Sequence, residues 1–477
     1  MKNGGRLMAK ADMVREVNAP FDGGLIGTVP LSDEKAVDAA LDTARRLHEA
    51  KVKPSLAERI EILRRAGDIM KERRQEIALH AAREGGKPLP DSLVEVDRAI
   101  DGMDVCIETV RGEQGRVVPM RLNAASKSRV AFTQTFPIGP VVAVSAFNHP
   151  FNLIAHQCAP AIATGCPVIV KPAASTPFSA RAFADIMTEA GLPDGWCQVA
   201  NTTNSSVATK LVTDPRVAFF SFIGSGAVGW RLRSQLAPGT RCALEHGGVA
   251  PVIVAPDADL NMALPVLMKG GFYHAGQVCV SVQRVFVHAS LFDDLAGALA
   301  TGAGGLRVGD PTKAETEVGP LISHGEADRV AEWVNEAVAA GAGLAAGGQR
   351  LSASTYAPTV LLDPPSSTKI ARQEVFGPVI ALFKYEDLDD AIARANELEF
   401  AFQAAIFTQD IDIAMQAYTG LNASAVMVND HTAFRTDWMP FAGLGPSGHG
   451  VGGMPHTVHE MSIEKMLVVN SPALSGL

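Results

Sequence analysis

The sequence predicts an α/β protein built from two successive βαβ regions, each around its own parallel sheet. Three observations carry this. Between residues 136 and 245, short apolar runs ("VVAVSAF", "PVIVKP", "WCQVA", "VAFFSFIG", "CALE") alternate with helix-like segments, the pattern of crossover units. From Gly247 the alternation restarts with "APVIVA", "RVFVHA", "IALFKY", "QAAIFT" and "AVMVN". The chain has 477 residues, 47% apolar and 19% charged, which supplies a sizeable core and leaves little room for disorder.

Taken in order, the first 115 residues read as mostly helical after an extended start. Asp33 and Glu34, behind Ser32, suit a helix N-terminus, where the dipole favours negative charge. Ser55 with Glu58 makes a capping-box pattern ahead of "RIEILRRAGDIMKERRQEIALHAARE". "DSLVEVDRAIDGMDVCIETVRGE" keeps helical spacing. "KSRVAFTQTFPIGPVVAVSAFN" is rich in β-branched residues and broken by Pro137 and Gly139, so it reads as strands with a turn. The Ala/Gly-rich "EAVAAGAGLAAGGQRL" reads as a helix end followed by a glycine turn. No internal repeat and no long linker interrupts the chain.

The formal net charge of -9 gives no basic footprint, which argues against a nucleic-acid partner. Six cysteines stand apart at 106, 158, 166, 197, 242 and 279, without a CxxC pair or an HExxH, so no metal is expected. Sparse cysteines fit a reducing, cytoplasmic setting. The opening "MKNGGRLMAKADMVREV" lacks a signal-peptide apolar core, and no apolar run reaches the roughly 18 residues of a spanning helix, so no membrane is expected.

Five stretches carry chemistry-bearing residues. "FIGSGAVGW" places Gly224, Gly226 and Gly229 between a strand-like and a helix-like segment, where backbone amides could face a pyrophosphate; a structural turn is the alternative. Glu245 follows Gly224 by 21 positions, the spacing of a ribose-binding acid, yet as "LEHGG" it also reads as a general base or a salt-bridged strand end. Cys279 in "GQVCVSVQR" is either a nucleophile or a small buried hydrophobe. Asn148 in "SAFNHPFNL" is either an oxyanion donor or a turn residue. Lys171 in "VIVKPAASTP" ends a strand, where open α/β sheets bind ligands.

Taken together, seven ordered motifs across the chain resemble the aldehyde dehydrogenase superfamily: "FNHP", "KPAASTP", "FIGSGAVG", "LEHGG", "GQVC", "EVFGPV" and "MPFAGLGPSGHG". The resemblance implies a Rossmann-type cofactor domain (residues 1–116 and 136–246), an α/β catalytic domain (247–446) and a small β-arm for oligomerisation (117–135 and 455–477). It implies Cys279 as nucleophile, Glu245 as base for hydrolysis, and Asn148 with the Cys279 amide as oxyanion hole. Glu245 then does chemistry and does not bind ribose. Lys171, Gly224, Ser225 and Gly229 would lie near NAD or NADP, with Glu374 and Phe376 at the nicotinamide ribose and ring. The implied reaction is NAD(P)-dependent oxidation of an aldehyde to the acid through a cysteine thiohemiacetal and thioester.

Ala174 stands where the family often has a glutamate that grips the cofactor's ribose, so NADP is expected to be tolerated or preferred. Ala442 replaces a common glycine, with no consequence assigned. "FNHP", "GQVCVSVQR" and "NDHTAFRTDWMPF" look most like the subgroup that oxidises lactaldehyde, phosphonoacetaldehyde and sulfolactaldehyde. Arg98, His149 and Arg435 would then form a cationic cluster for a small anionic aldehyde, since guanidinium binds such anions bidentately; three unrelated surface or ion-paired residues are the alternative. A CoA-acylating enzyme, a succinic semialdehyde dehydrogenase and a non-catalytic protein on the same scaffold are the rival readings. A homodimer or homotetramer is expected.

Overall fold

The computed structural model describes residues 13–112 and 115–476; residues 1–12, 113–114 and 477 of the expected segments lie outside the described residues. A hairpin, Val14–Asn18 with Leu25–Pro30, precedes four helices: Glu34–Glu49, Leu56–Glu72, Arg74–Gly85 and Leu89–Gly112. The first helix is capped by Asp33, whose side chain accepts the Ala36 N–H at 2.8 Å. Ser55 and Glu58 form the expected reciprocal box: Ser55 Oγ accepts the Glu58 N–H, and the Glu58 carboxylate accepts the Ser55 N–H.

Two sheets follow. The first has six strands in the order Gly448–His449, Arg241–Glu245, Phe219–Ile223, Val141–Val144, Val168–Lys171 and Cys197–Val199. All pair in parallel except Gly448–His449, which runs antiparallel to Arg241–Glu245. Its centre reads "VVAV" because both faces are covered. Helix Asn152–Thr164 is buried along its whole length, since it runs between this sheet and the helices Leu56–Glu72 and Leu89–Gly112.

The second sheet has seven strands: Gly343–Ala346, Thr359–Leu362, Val379–Tyr385, Arg284–His288, Pro251–Val254, Gln403–Phe407 and Ala425–Val428. Only its first strand is antiparallel. That strand lies in the Ala/Gly-rich stretch expected to end at a turn. The turn is there, after helix His324–Ala339, but "GLAA" then pairs along the sheet edge.

A third, antiparallel sheet joins Ser462–Asn470 to Arg129–Pro137 and the short Val117–Val118. The segment 455–477 is not all arm. Met454–Glu460 is a helix, and its Met454 and Val458 pack into the core beneath the six-stranded sheet, with the strand beginning only at Ser462. Pro455 near the helix start sets its φ, and two buried apolar residues anchor it. No helix of the described residues is long and apolar enough to cross a membrane.

Candidate active site

A cavity of about 530 Å³ opens between the two large sheets. One wall comes from residues just past the C-terminal ends of three parallel strands: Ser145–Asn148, Gly224–Ser225 and His246–Gly247, with Glu245 at the end of its strand. The other comes from the approaches to two strands of the second sheet: Val278–Val280 before Arg284–His288, and Glu374 and Phe376 before Val379–Tyr385. Open α/β sheets bind ligands at such carboxyl ends. A larger groove of about 1410 Å³, beside helix Gly226–Arg233 and the strand from Ser462, contains none of the expected catalytic groups.

Cys279, Glu245 and Asn148 all line the smaller cavity. The Cys279 thiol is pushed up to about 12, first by burial, then by the Glu374 and Glu245 carboxylates; Arg435 and the residue's own backbone N–H oppose this. Glu245 is raised by burial, while Arg435 pulls it down and Glu460 and Asp437 push it up. A proton therefore rests on the thiol, and a carboxylate of elevated basicity lies beside it. Glu245 packs against a bare backbone: a Cβ at Gly452 would lie 2.2 Å from its Oε1.

Asn148 is held by one of its two amide hydrogens, which Nδ2 donates to the Gln277 carbonyl at 2.9 Å. That bond ties the side chain to the segment leading into Cys279 and leaves the second N–H for a ligand oxygen. The loop carrying Asn148 is fixed from below. Helix Asn152–Thr164 has no side-chain cap of its own, and Glu95 supplies one: its Oε1 accepts the N–H groups of Phe151 at 2.8 Å and Asn152 at 2.9 Å. The second Glu95 oxygen pairs with Lys87, and both side chains are 1% exposed.

The residues expected near a cofactor divide into two groups. Gly224, Ser225, Glu374 and Phe376 line the cavity. Lys171, Ala174 and Gly229 do not. Lys171 ends its strand and donates to the Pro172 carbonyl, and Ala174 is exposed beyond it. Gly229 instead permits packing, since a Cβ there would lie 2.1 Å from the His246 ring. That ring is in turn hydrogen-bonded through Nδ1 to the Gly224 carbonyl at 2.9 Å.

NAD(P) fits this wall on two observations. Glu374 is pushed up to about 8 by burial, and its Oε1 is buried without a partner, an acceptor waiting for a hydroxyl. Phe376 is held at φ 47°, a strained left-handed conformation for a phenylalanine, with its ring edge-on to Phe147 at 5.9 Å. The segment is pinned by Gln283, which donates to the carbonyls of Ile370 and Gln373 and accepts the Val375 N–H.

Arg98, His149 and Arg435 also line the cavity, but not as three free cations. Arg98 is bound by both oxygens of Asp437, at 2.7 and 3.0 Å. His149 is held well below its ordinary value by burial and by Lys87 and Arg98, and its Nε2 contacts the Tyr273 hydroxyl at 3.1 Å. Arg435 sits over the Phe441 ring, its Cζ 3.6 Å from the centroid, and donates to His156 Nε2 at 2.7 Å. Glu95, His156 and Asp437 escape a reading of the sequence. The only local signals are the helical spacing of Asn152 and His156, and Asp437 standing two residues beyond Arg435.

Residues 8–467 match the model of the aldehyde dehydrogenase family. A 3-sulfolactaldehyde dehydrogenase of Priestia aryabhattai is 38% identical over 436 residues, covering 91% of this chain and 90% of that protein. Aldehyde dehydrogenase 21 of Physcomitrella patens, solved with its product succinate, superposes with a TM-score of 0.93 at 34% identity, covering 97% of this chain and 96% of that one. A glyceraldehyde-3-phosphate dehydrogenase of Methanocaldococcus jannaschii, solved with NADP, gives a TM-score of 0.92 at 33% identity, over 97% and 100%. Fold, cavity and sequence agree: the chain belongs to the aldehyde dehydrogenase family and is an NAD(P)-dependent oxidoreductase.

Proposed function

We propose that the chain oxidises a small anionic aldehyde to its carboxylate, with Cys279 as nucleophile and hydrolytic release of the product. The observation that carries this reading is the meeting of Cys279, Glu245, Asn148 and Arg435 on one cavity. The Cys279 proton is released to solvent as sulfur attacks the carbonyl carbon, and Glu245, raised by burial, stays unprotonated on the same cavity for the hydrolysis that follows. The free Asn148 N–H and the Cys279 amide hold the developing oxyanion; one such donor is typically worth about 3 kcal/mol of barrier. NAD(P), when bound, would supply the hydride acceptor that takes the Cys279-held carbon to the thioester level. Glu245 then takes a proton from water, whose oxygen attacks the thioester; the acid is freed and the proton passes to the departing Cys279 sulfur. Glu374 and Phe376 would hold the nicotinamide ribose and ring, Gly224 and Ser225 would lie near the cofactor, and Lys171 would hold the adenosine ribose.

Glu245→Gln tests the scheme. A stoichiometric burst of reduced cofactor should survive while steady-state turnover falls about a hundredfold, the scale of losing a general base. Loss of both phases together would reject the division of labour. The same assay with CoA added separates hydrolysis from acyl transfer to CoA.

Three details support the finer reading. The similar Priestia protein is named for an aldehyde bearing a sulfonate, and the moss enzyme was solved with a dicarboxylate. Ala174 offers no carboxylate to repel a ribose 2′-phosphate, so kcat/KM with NADP should equal or exceed that with NAD. A clear preference for NAD would refute this. We assign cofactor binding to residues 1–116 and 136–246, catalysis to 247–446, and subunit pairing to the three-stranded arm. All six cysteines are unpaired, which suits a cytoplasmic enzyme.

A further inference from the structure

Arg435 and His156 share a polar contact in the cavity wall, 2.7 Å from Nη2 to Nε2, that the reaction scheme leaves unused. A guanidinium only donates. His156 Nε2 must therefore present its lone pair, which places the ring proton on Nδ1 and leaves the imidazole neutral. Burial and the Arg435 charge hold His156 down to about 3, although Asp437 lies 3.6 Å from the same nitrogen.

The arrangement decides which cation is available. Asp437 stands two residues beyond Arg435 in sequence, yet both its oxygens go to Arg98. Among the described residues no carboxylate pairs with Arg435 within 4.0 Å. Its Nη2 is taken by His156, its Nε is buried without a partner, and its Cζ stacks over the Phe441 ring at 3.6 Å. No hydrogen bond within the described residues engages Nη1, and the side chain lines the cavity. The titratable and charged groups that act on it are Glu245, Asp437, Arg98 and Cys279.

We propose that His156 is a positioning residue for substrate choice: as a neutral acceptor it aligns Arg435 so that the free Nη1 edge receives the anionic tail of the aldehyde. This rests on the anionic-aldehyde reading above. His156 reaches no reacting atom. It acts through Arg435, and an acid in its place would neutralise the charge that the tail needs. Helix Asn152–Thr164 thus serves the site twice, through the loop at its start and through His156 one turn in.

The test compares succinic semialdehyde with propanal for His156→Leu, His156→Gln and Arg435→Gln. His156→Leu should raise KM for the semialdehyde about tenfold, the scale of one charge-assisted hydrogen bond, with the propanal KM and kcat within about twofold. His156→Gln, which keeps an acceptor oxygen, should recover most of the loss. Binding of succinate to the variants, measured by calorimetry, should follow the same order. If His156→Leu does not fold, His156→Asn is too short to reach and makes the same prediction. Equal changes for both aldehydes would reduce His156 to packing and overturn the proposal. A shift in Arg435→Gln alone would overturn it while sparing the anionic reading. No selective shift in either would sink both.

Discussion

Cys279 carries its sulfur in a place that opposes ionisation, part-buried and under the influence of the Glu374 and Glu245 carboxylates, with Arg435 as the compensating charge. Because the thiol is pushed up to about 12, its thiolate fraction should grow about tenfold with each unit of pH below that value. Iodoacetamide inactivation of the cofactor-free enzyme should therefore accelerate from pH 7 to 10 without a plateau. Arg435→Gln should slow it at every pH, because the charge that lowers the thiol's pKa is gone. A plateau near neutral pH would mean that Cys279 is ionised at rest. At this scale the sequence was legible wherever chemistry lies in a local motif: Cys279, Glu245 and Asn148 are each flanked by recognisable neighbours. Gly452 and His156 were not legible. Their importance lies in touching Glu245 and Arg435, partners 207 and 279 positions away in the chain.

Among the elements, the start of helix Asn152–Thr164 shows how a distant residue fixes the loop that carries Asn148. Glu95 caps it from another helix and is itself neutralised by Lys87, all out of solvent. Removing one partner leaves a buried charge uncompensated and typically costs about 3–5 kcal/mol. Glu95→Ala should lower the melting temperature on that scale. The double variant Glu95→Leu with Lys87→Met should recover most of the stability, because no charge is then stranded. Catalysis should stay impaired in the double variant, since the Phe151 and Asn152 amides still lack their acceptor. Full activity there would show that the cap does not position Asn148. Strong periodicity made most helices and parallel strands readable. The strand Gly343–Ala346 was hidden because Gly, Leu, Ala and Ala carry no alternation, and its state depends on pairing with Thr359–Leu362. Helix Met454–Glu460 was hidden because a seven-residue element owes its existence to the core it fills.

At the scale of the molecule, the three-stranded arm leaves apolar side chains in water. Met466 is 53% exposed and Leu467 52%, on opposite faces of the strand Ser462–Asn470, and Val468 and Val469 continue the pattern. A soluble monomer rarely shows both faces of a strand in this way. We expect a second subunit to cover them, so Met466→Glu with Leu467→Lys should yield monomers by sedimentation while the far-ultraviolet dichroism stays unchanged. An unaltered sedimentation coefficient would place the subunit contact elsewhere. The sequence indicated an arm but not its extent, because where it ends is fixed by the helix packed before it. Gln283, finally, fastens the Ile370–Val375 stretch to the base of the strand that follows the nucleophile. Cys279 and Glu374 are therefore bolted to a common chassis, so any movement between the two sheets should alter the width of the mouth before it alters the span between these two side chains.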